Sequence, residues 1–443
     1  MTLEEYIATF DNSPKWFMEE VNKPWHVKRI AGCVRNKDYL MGRHKVLLRE
    51  DSVYKGKVLT VNKTILQYAK MLVTFHDTLL LGKPVNIKSD NEEITKTITD
   101  IYKYGQYDAV DFKILDQVNK FGDAYEYIYV QDGVIKSKVF DAGDCYPVYT
   151  EDGDYVAFIE KWTDMWSKVT HWNVYYPTYV EKWTDEGGEY NLIETKPNLS
   201  GLPIHYHNIN DEDENFGSSM LDDVKPILDD LEDIMSKLGT SIYVNTLNPL
   251  PVALGQRIES TIPADAAGYV LNLDNGDYKV VSTMMDYSTI KLYLDNMKGM
   301  LNDIACYPSA LSDNTNIANI SSVSLQMLFH MAVCKCLENE KWLNIGFRKR
   351  FDTFGRLLNY VGSNIDGNVE VEFNLSMPVA TDEVIDNLKT MREMGAISID
   401  TVMEKSGYIS DLAVEKERIE DENLSIDNTV INKEEDRVNN DAA

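Results

Sequence analysis

From Ile65 onward, apolar side chains return every three or four residues, at Ile65, Tyr68, Ala69, Leu72, Phe75, His76 and Leu79, and then Gly82 and Pro84 follow. That spacing predicts one helix ending at Gly82, with an apolar face that needs a core partner. The rhythm returns at Met220, Leu221, Val224, Ile227, Leu228, Leu231, Ile234, Met235 and Leu238, a second amphipathic helix. Its other face carries Asp222, Asp223, Asp229, Asp230, Glu232 and Asp233, and Pro226 is expected to kink it or confine regular helix to its later part. A third stripe, Ile290, Tyr293, Leu294, Met297, Leu301 and Ile304, predicts a helix from about Tyr287 to Ala305. The longest stripe begins near Ser322 and runs through Leu325, Phe329, Ala332, Leu343, Phe347, Phe351 and Phe354 to Val361. At 1.5 Å per residue it would span roughly 60 Å, softened at Gly346 and Gly355.

Elsewhere the period falls to two. Residues 1–60 look helical in part and carry the basic patches "HVKR" and "GRHK". A helix ending near Gly122 is followed by Tyr- and Trp-rich strands that continue to about residue 195. Asp132-Gly133 and Asp152-Gly153 mark hairpin turns among them. Residues 246–282 turn β-like again, with a turn at Asn275-Gly276, and so form a β insert between two helices. "VEVEF" predicts a strand near residue 370, and "SIDTVME" and "ISDLAVEKE" open short helices on serine caps. The fold class expected is α+β. One stretch stands apart: "CYPSALSDNTNIANISSVSLQ", Cys306 to Gln326, is polar and nearly uncharged between two strong helices. A plain linker is one reading. A long irregular segment inside a folded chain is also often functional.

The 443 residues suggest two or three domains, and a hydrophobic fraction of 44% fits folded protein. With 44 Lys and Arg against 72 Asp and Glu, the net charge of −28 opposes tight binding of DNA over a broad surface. No apolar run approaches the roughly 20 residues of a membrane span. The acidic opening "MTLEEYIATFDNSPKWF" lacks the character of a secretion signal, so a cytosolic protein is expected. Five scattered cysteines (Cys33, Cys145, Cys306, Cys334 and Cys336) are no disulfide framework and read as small buried side chains.

Motifs for chemistry are scarce. Walker A, GxGxxG, GxSxG and HExxH patterns do not occur. His205 and His207 alternate on an extended segment, a spacing that can bind zinc, but no third ligand lies close in sequence. Asp211 to Glu214 lacks the spacing of a calcium loop and reads as a solvated charge run. No catalytic residue, metal or cofactor is expected.

The order of elements is more specific than any motif. "DYLMGRHKVL", with Tyr39, Gly42 and His44, the "LLLGKPVNI" helix end, "SGLPIHYHNINDEDENFGSSMLDDVKPILDDL", and Phe373, Asn374, Pro378, Gly395, Ser398 and the Glu415 to Ile419 ending all carry one resemblance. The chain resembles the portal proteins of tailed bacteriophages, in particular those of long-tailed phages of Gram-positive hosts. The resemblance implies a homo-oligomeric ring, usually of twelve, at a capsid vertex of the virion, assembled in the host cytoplasm. Double-stranded viral DNA would be packaged and ejected through its channel. Terminase, the head-tail connector, and the major capsid and scaffolding proteins would be its partners, with no membrane.

It also implies an anatomy. Residues 1–216 would be the wing, 217–240 and 284–305 the stem helices, and 241–283 the clip. Residues 306–322 would be the tunnel loop and 323–362 the long spine helix. Residues 363–425 would form a strand plus helical crown, and 426–443 a disordered acidic tail. DNA contact would fall to Ser309, Ser312, Asn314, Thr315, Asn316, Asn319, Ser321 and Ser322 of the loop. Their hydroxyls and amides can bond phosphate without holding it. Asp222, Asp229, Asp233, Lys291 and Lys298 would line the channel or the subunit interface. Arg348, Lys349, Arg350 and Arg356 would meet an acidic neighbouring subunit or DNA. Two other readings compete: a metal-dependent nuclease or hydrolase using Asp211 to Glu214 with His205 and His207, and a different head-tail adaptor ring.

Overall fold

Helical and alternating periods segregate along the chain much as the pattern predicts. The computed structural model describes residues 1–54, 57–243, 250–254, 277–281, 286–308, 322–361, 368–377, 381–406, 415–416 and 418–419. They belong to two units, Met1–Thr315 with Phe329–Ser376, and Asn316–Leu328 with Met377–Ala443.

The first unit opens with α1 (Leu3–Ala8), α2 (Phe17–Glu20) and α3 (Pro24–Leu40). Thr2 and Glu5 cap α1 reciprocally. A short hairpin, β1 (Ser52–Tyr54) and β2 (Lys57–Leu59), leads through a strap without regular secondary structure at residues 62–66 into α4 (Tyr68–Leu81). β3 (Asn86–Ser89), α5 (Glu92–Gly105) and α6 (Tyr107–Phe121) follow. Next come β4 (Asp123–Gln131), β5 (Val134–Val139), β6 (Cys145–Tyr149), β7 (Tyr155–Thr163), β8 (Thr170–Tyr175), β9 (Tyr179–Thr184), β10 (Asn191–Pro197) and β11 (Ile204–His207). They form two antiparallel sheets, ordered β10-β9-β8-β7-β6 and β11-β4-β5. Asp132 and Gly133 join β4 to β5 with φ of 54° and 77°, the left-handed pair that a tight hairpin demands. Gly153, at φ 83°, lies between β6 and β7 as expected, while Asn275-Gly276 lies outside the described residues. The larger sheet packs Trp172, Val174 and Trp183 onto Trp16 and Phe17.

α7 (Met220–Ser241), β12 (Leu250–Leu254), β13 (Asp277–Val281), α8 (Tyr287–Ile304) and α9 (Ser322–Val361) realise the helix, β insert, helix and long helix order, and β14 (Val369–Glu372) pairs with β3. α7 runs from Met220 straight through Pro226, so regular helix is not confined to its later part. α4 starts at Tyr68 rather than Ile65, because the amides just before it bond to α7 instead of winding into a turn.

In the second unit, α10 (Thr381–Glu393) and α11 (Ile399–Ser406) flank a turn at Gly395, φ 70°. Ser398 Oγ accepts the Thr401 N–H at 3.2 Å, the cap expected of "SIDTVME". The "ISDLAVEKE" cap and residues 426–443 lie outside the described residues. Of the cysteines, Cys33, Cys145 and Cys336 are buried as expected; Cys306 is half-buried, and Cys334 is exposed on the outer side of α9.

Candidate functional site

The helix pair that precedes the neutral loop is anchored to the front of the chain. α3 ends at Leu40, and Gly42 adopts φ 84°, which turns the chain back so that His44 stacks on Tyr39 with ring centroids 3.9 Å apart. His44 Nε2 lies 2.8 Å from the Tyr39 carbonyl and Nδ1 lies 2.6 Å from Glu232 Oε1 of α7. Both ring nitrogens thus face acceptors, and both side chains are fully buried. The Tyr39, Gly42 and His44 motif is therefore a clasp on α7. Glu232 is corrected from the acidic outer face to the buried side. Beside it, the strap donates the N–H groups of Asn62, Thr64 and Leu66 to Thr240 Oγ1, Ser236 Oγ and Glu232 Oε1 at 3.0, 2.8 and 2.7 Å.

α7 and α8 share one apolar cluster with α4, built from Leu221, Val224, Leu228 and Leu231 against Met297, Leu301, Ala69 and Leu72. The expected stem residues divide by environment. Asp222 pairs with Lys225 at 2.8 Å, Asp233 pairs with Lys237 and reaches Arg49 at 3.7 Å, and Asp229 is half-buried. Lys291 and Lys298 are exposed on α8, as are Leu292 and Met300. Tyr293 ties the two helices by donating to Asp230 at 2.8 Å.

The take-off of the neutral loop is held tightly. Tyr307 N–H bonds the Asn302 carbonyl at 2.8 Å and Cys306 N–H bonds the Asp303 carbonyl at 3.2 Å, a paired C-terminal cap with Cys306 at φ 50°. His76 Nε2 of α4 lies 2.7 Å from the Ala305 carbonyl, and Phe75 packs on Tyr307. Glycine usually occupies the left-handed cap position. Cys306→Gly is therefore expected to raise stability by about 0.5–1 kcal/mol, measured by urea unfolding of the full chain. Loop residues Ser309, Ser312, Asn314, Thr315, Asn316, Asn319 and Ser321 lie outside the described residues, and Ser322 is the first residue of α9.

The basic cluster of α9 does not act as one. Arg348 and Lys349 are exposed, and Arg356 donates to the Ser200 carbonyl at 3.0 Å and to Thr353 at 2.8 Å. Arg350 is a correction: it is fully buried, with Nη1 on Asp111 and on Tyr102 Oη (3.0 Å) and Nε on Glu126 at 3.0 Å. Tyr206 donates to the same Glu126 oxygen at 2.6 Å. Burial pushes the Asp111 carboxyl up to about 7 against the pull of Arg350. The sequence held a clue: position 350 continues the stripe Leu343, Phe347, Phe354 and Leu357, all buried. An arginine at the centre of an apolar stripe needs buried partners.

Of the residues of the hydrolase reading, His205, His207 and Glu212 each have a partner of their own. His205 lies between Asp123 Oδ1 (2.9 Å) and the Tyr149 hydroxyl (2.6 Å), buried, and burial lowers its pKa. His207 packs on Trp342, and Glu212 pairs with Lys28. Among the described residues, no group of three or more His, Cys, Asp or Glu side chains could hold a metal ion, and no helix is long and apolar enough to cross a membrane.

A family model described as "Phage portal protein, SPP1 Gp6-like" matches residues 26–428. The chain belongs to this phage portal protein family, and its function is that of a portal vertex protein, a part of the channel through which viral DNA passes. Portal proteins are structural components of the particle. Solved structures with a similar fold include "Neck of empty GTA particle computed with C6 symmetry", at 12% identity, TM-score 0.46, covering 77% of this chain and 87% of that one. "Virion of native gene transfer agent (GTA) particle" is 13% identical with TM-score 0.44, covering 77% and 86%. "Neck of native GTA particle computed with C12 symmetry" is 14% identical with TM-score 0.44, covering 76% and 89%. No curated protein matches the chain.

Proposed function

We propose that twelve copies of this chain close into a ring at one vertex of the virion, assembled in the host cytoplasm, with the stem helices around a channel for double-stranded DNA. Family membership over residues 26–428 carries this reading. The order α7, β insert, α8, loop, α9 supports it. In this reading residues 1–216 are the wing, 217–240 and 284–305 the stem, 241–283 the clip, 306–322 the tunnel loop, 323–362 the spine and 363–425 the crown.

The clip faces terminase during packaging and the connector afterwards, and the wing meets capsid and scaffolding proteins. Ser309, Ser312, Asn314, Thr315, Asn316, Asn319, Ser321 and Ser322 touch passing DNA. Asp222, Asp229, Asp233, Lys291 and Lys298 serve the channel wall or the subunit interface, together with Arg348, Lys349 and Arg356. A net charge of −28 suits a conduit, because a wall that repels phosphate does not hold DNA.

Negative-stain microscopy and native mass spectrometry test the ring. Closed particles with a central hole are expected; monomers and dimers at every concentration and salt would sink the reading. Deleting Asp313 to Ile320 is expected to leave rings intact and to reduce DNA packaging into proheads by about tenfold or more, since loop contacts repeated around a ring add up. Normal packaging would remove the loop from DNA contact.

A further inference from the structure

The Leu81 to Pro84 end of α4 walls a cleft whose other side is α6. The cleft has a volume of about 180 Å³ and is lined by Gly82, Lys83 and Pro84 together with two carboxylates, Asp108 and Asp111. These acids stand three residues apart on α6, so they share one face of the helix. Asp111 is 2% exposed. Arg350 engages it through Oδ1, and among the described residues Oδ2 has no hydrogen-bond partner. A buried carboxylate oxygen left in this way calls for a partner.

Three features give the cleft a negative character. Asp111, Glu126 and Asp108 set three carboxylates beside the one guanidinium of Arg350. Burial holds the carboxyls of Asp108 and Asp111 above their ordinary range, and the charge of Asp108 adds to the rise at Asp111. α4 ends at the cleft with no basic residue in its last turn, so the negative end of the helix dipole is unopposed there. Pro84 has no N–H to return to the Leu80 carbonyl. Lys83 lines the cleft, but it is exposed and makes no ion pair among the described residues.

We propose that this cleft binds a hard divalent cation, calcium in preference to magnesium, on Asp108 and on Oδ2 of Asp111. The carboxylate and carbonyl donors are oxygens, which suit calcium and magnesium rather than a softer transition metal. Two side chains do not make a shell by themselves, so backbone carbonyls of the Leu81 to Pro84 turn and water would complete it. Calcium tolerates such an irregular set, whereas magnesium demands a near-ideal octahedron. A divalent ion would also balance the two carboxylate charges that Arg350 leaves over. Bound there, it would tie the end of α4 to α6 beside the Arg350 network. The inference rests on the cleft and does not depend on the ring.

Iron(II) bound in place of the ion, with ascorbate and peroxide, cuts the backbone next to it, and mass spectrometry of the full-length protein locates the cuts. Salt at about 0.15 M screens diffuse binding to the other acids. One ion in the cleft is expected to cut two segments together, at residues 82–84 and 108–111, although they are distant in sequence. Calcium chloride is expected to suppress both cuts with a midpoint of about 0.1–1 mM, the range of sites with few charged ligands, and magnesium chloride only at a higher concentration. Asp108→Asn, at an exposed position, is expected to weaken both cuts at least about tenfold. Lys83→Glu puts a third carboxylate at the cleft and is expected to lower the calcium midpoint at least about threefold; it carries the test if Asp108→Asn does not fold. Absence of the paired cuts, cutting at one segment alone, or paired cuts that survive Asp108→Asn would overturn the proposal. A calcium midpoint that Lys83→Glu leaves unchanged or raises would overturn it as well.

Discussion

Arg350→Met is expected to cost about 3–5 kcal/mol of stability, read by urea unfolding of the full chain. The side chain sits at zero exposure among Phe347, Tyr102, Tyr107 and Tyr206, and its guanidinium answers two buried carboxylates, Asp111 and Glu126. Methionine fills most of the volume but leaves both acids without a counter-charge. The cost is dominated by stranding those acids rather than by the attraction removed, because desolvation of two ions nearly cancels their mutual pull. A triple variant, Arg350→Met with Asp111→Asn and Glu126→Gln, should therefore recover more than half of the loss. A loss under about 1 kcal/mol in the single variant would mean that the network lies outside the folded core. The elements tied here are α9, α5, α6 and the β11-β4-β5 sheet, so the network joins the long helix to the rest of its unit.

The same residue shows how far the sequence could be read. The stripes of α7, α8 and α9 were legible because burial on one side of a helix writes a period into the chain, and the start of α8 falls where the stripe places it. The Asp-Gly turn between β4 and β5 was legible because few residues tolerate two consecutive left-handed conformations. What was not legible depends on partners far along the chain. Arg348, Lys349 and Arg350 read as one basic run, yet only Arg350 points inward, toward acids 224 and 239 residues away. Glu232 read as one acid among six until His44, 188 residues earlier, placed it inside. Ile65 belonged to the helical stripe, yet the amides of Thr64 and Leu66 find better acceptors in α7 than in a first helical turn. In each case a charged or polar group chose its fate by a contact that periodicity does not encode. The resemblance supplied the family, but the Tyr39, Gly42 and His44 motif acquires a physical meaning only when the clasp on α7 is seen.

Gly346→Ala is expected to destabilise the chain by about 2–3 kcal/mol even though alanine is the better helix former. Two effects of opposite sign compete at this position. Alanine gains up to about 1 kcal/mol in a helix interior through the backbone entropy that glycine forfeits. Against that, a Cβ on Gly346 would lie 2.1 Å from Tyr206 Cε1 and 2.3 Å from Cδ1. The Tyr206 ring is fully buried, packs on Phe347, and its hydroxyl is tied to Glu126, so it cannot withdraw without loosening the Arg350 network. Overpacking against a ring held in this way outweighs the helical gain. Gly299 of α8 provides the internal contrast, because a Cβ there meets nothing within 4 Å. Gly299→Ala is expected to stabilise by about 0.5–1 kcal/mol in the same unfolding measurement. If both substitutions stabilise, α9 is free to move away from the sheet, and Gly346 marks flexibility of the long helix rather than the close approach that lets Arg350 reach its acids.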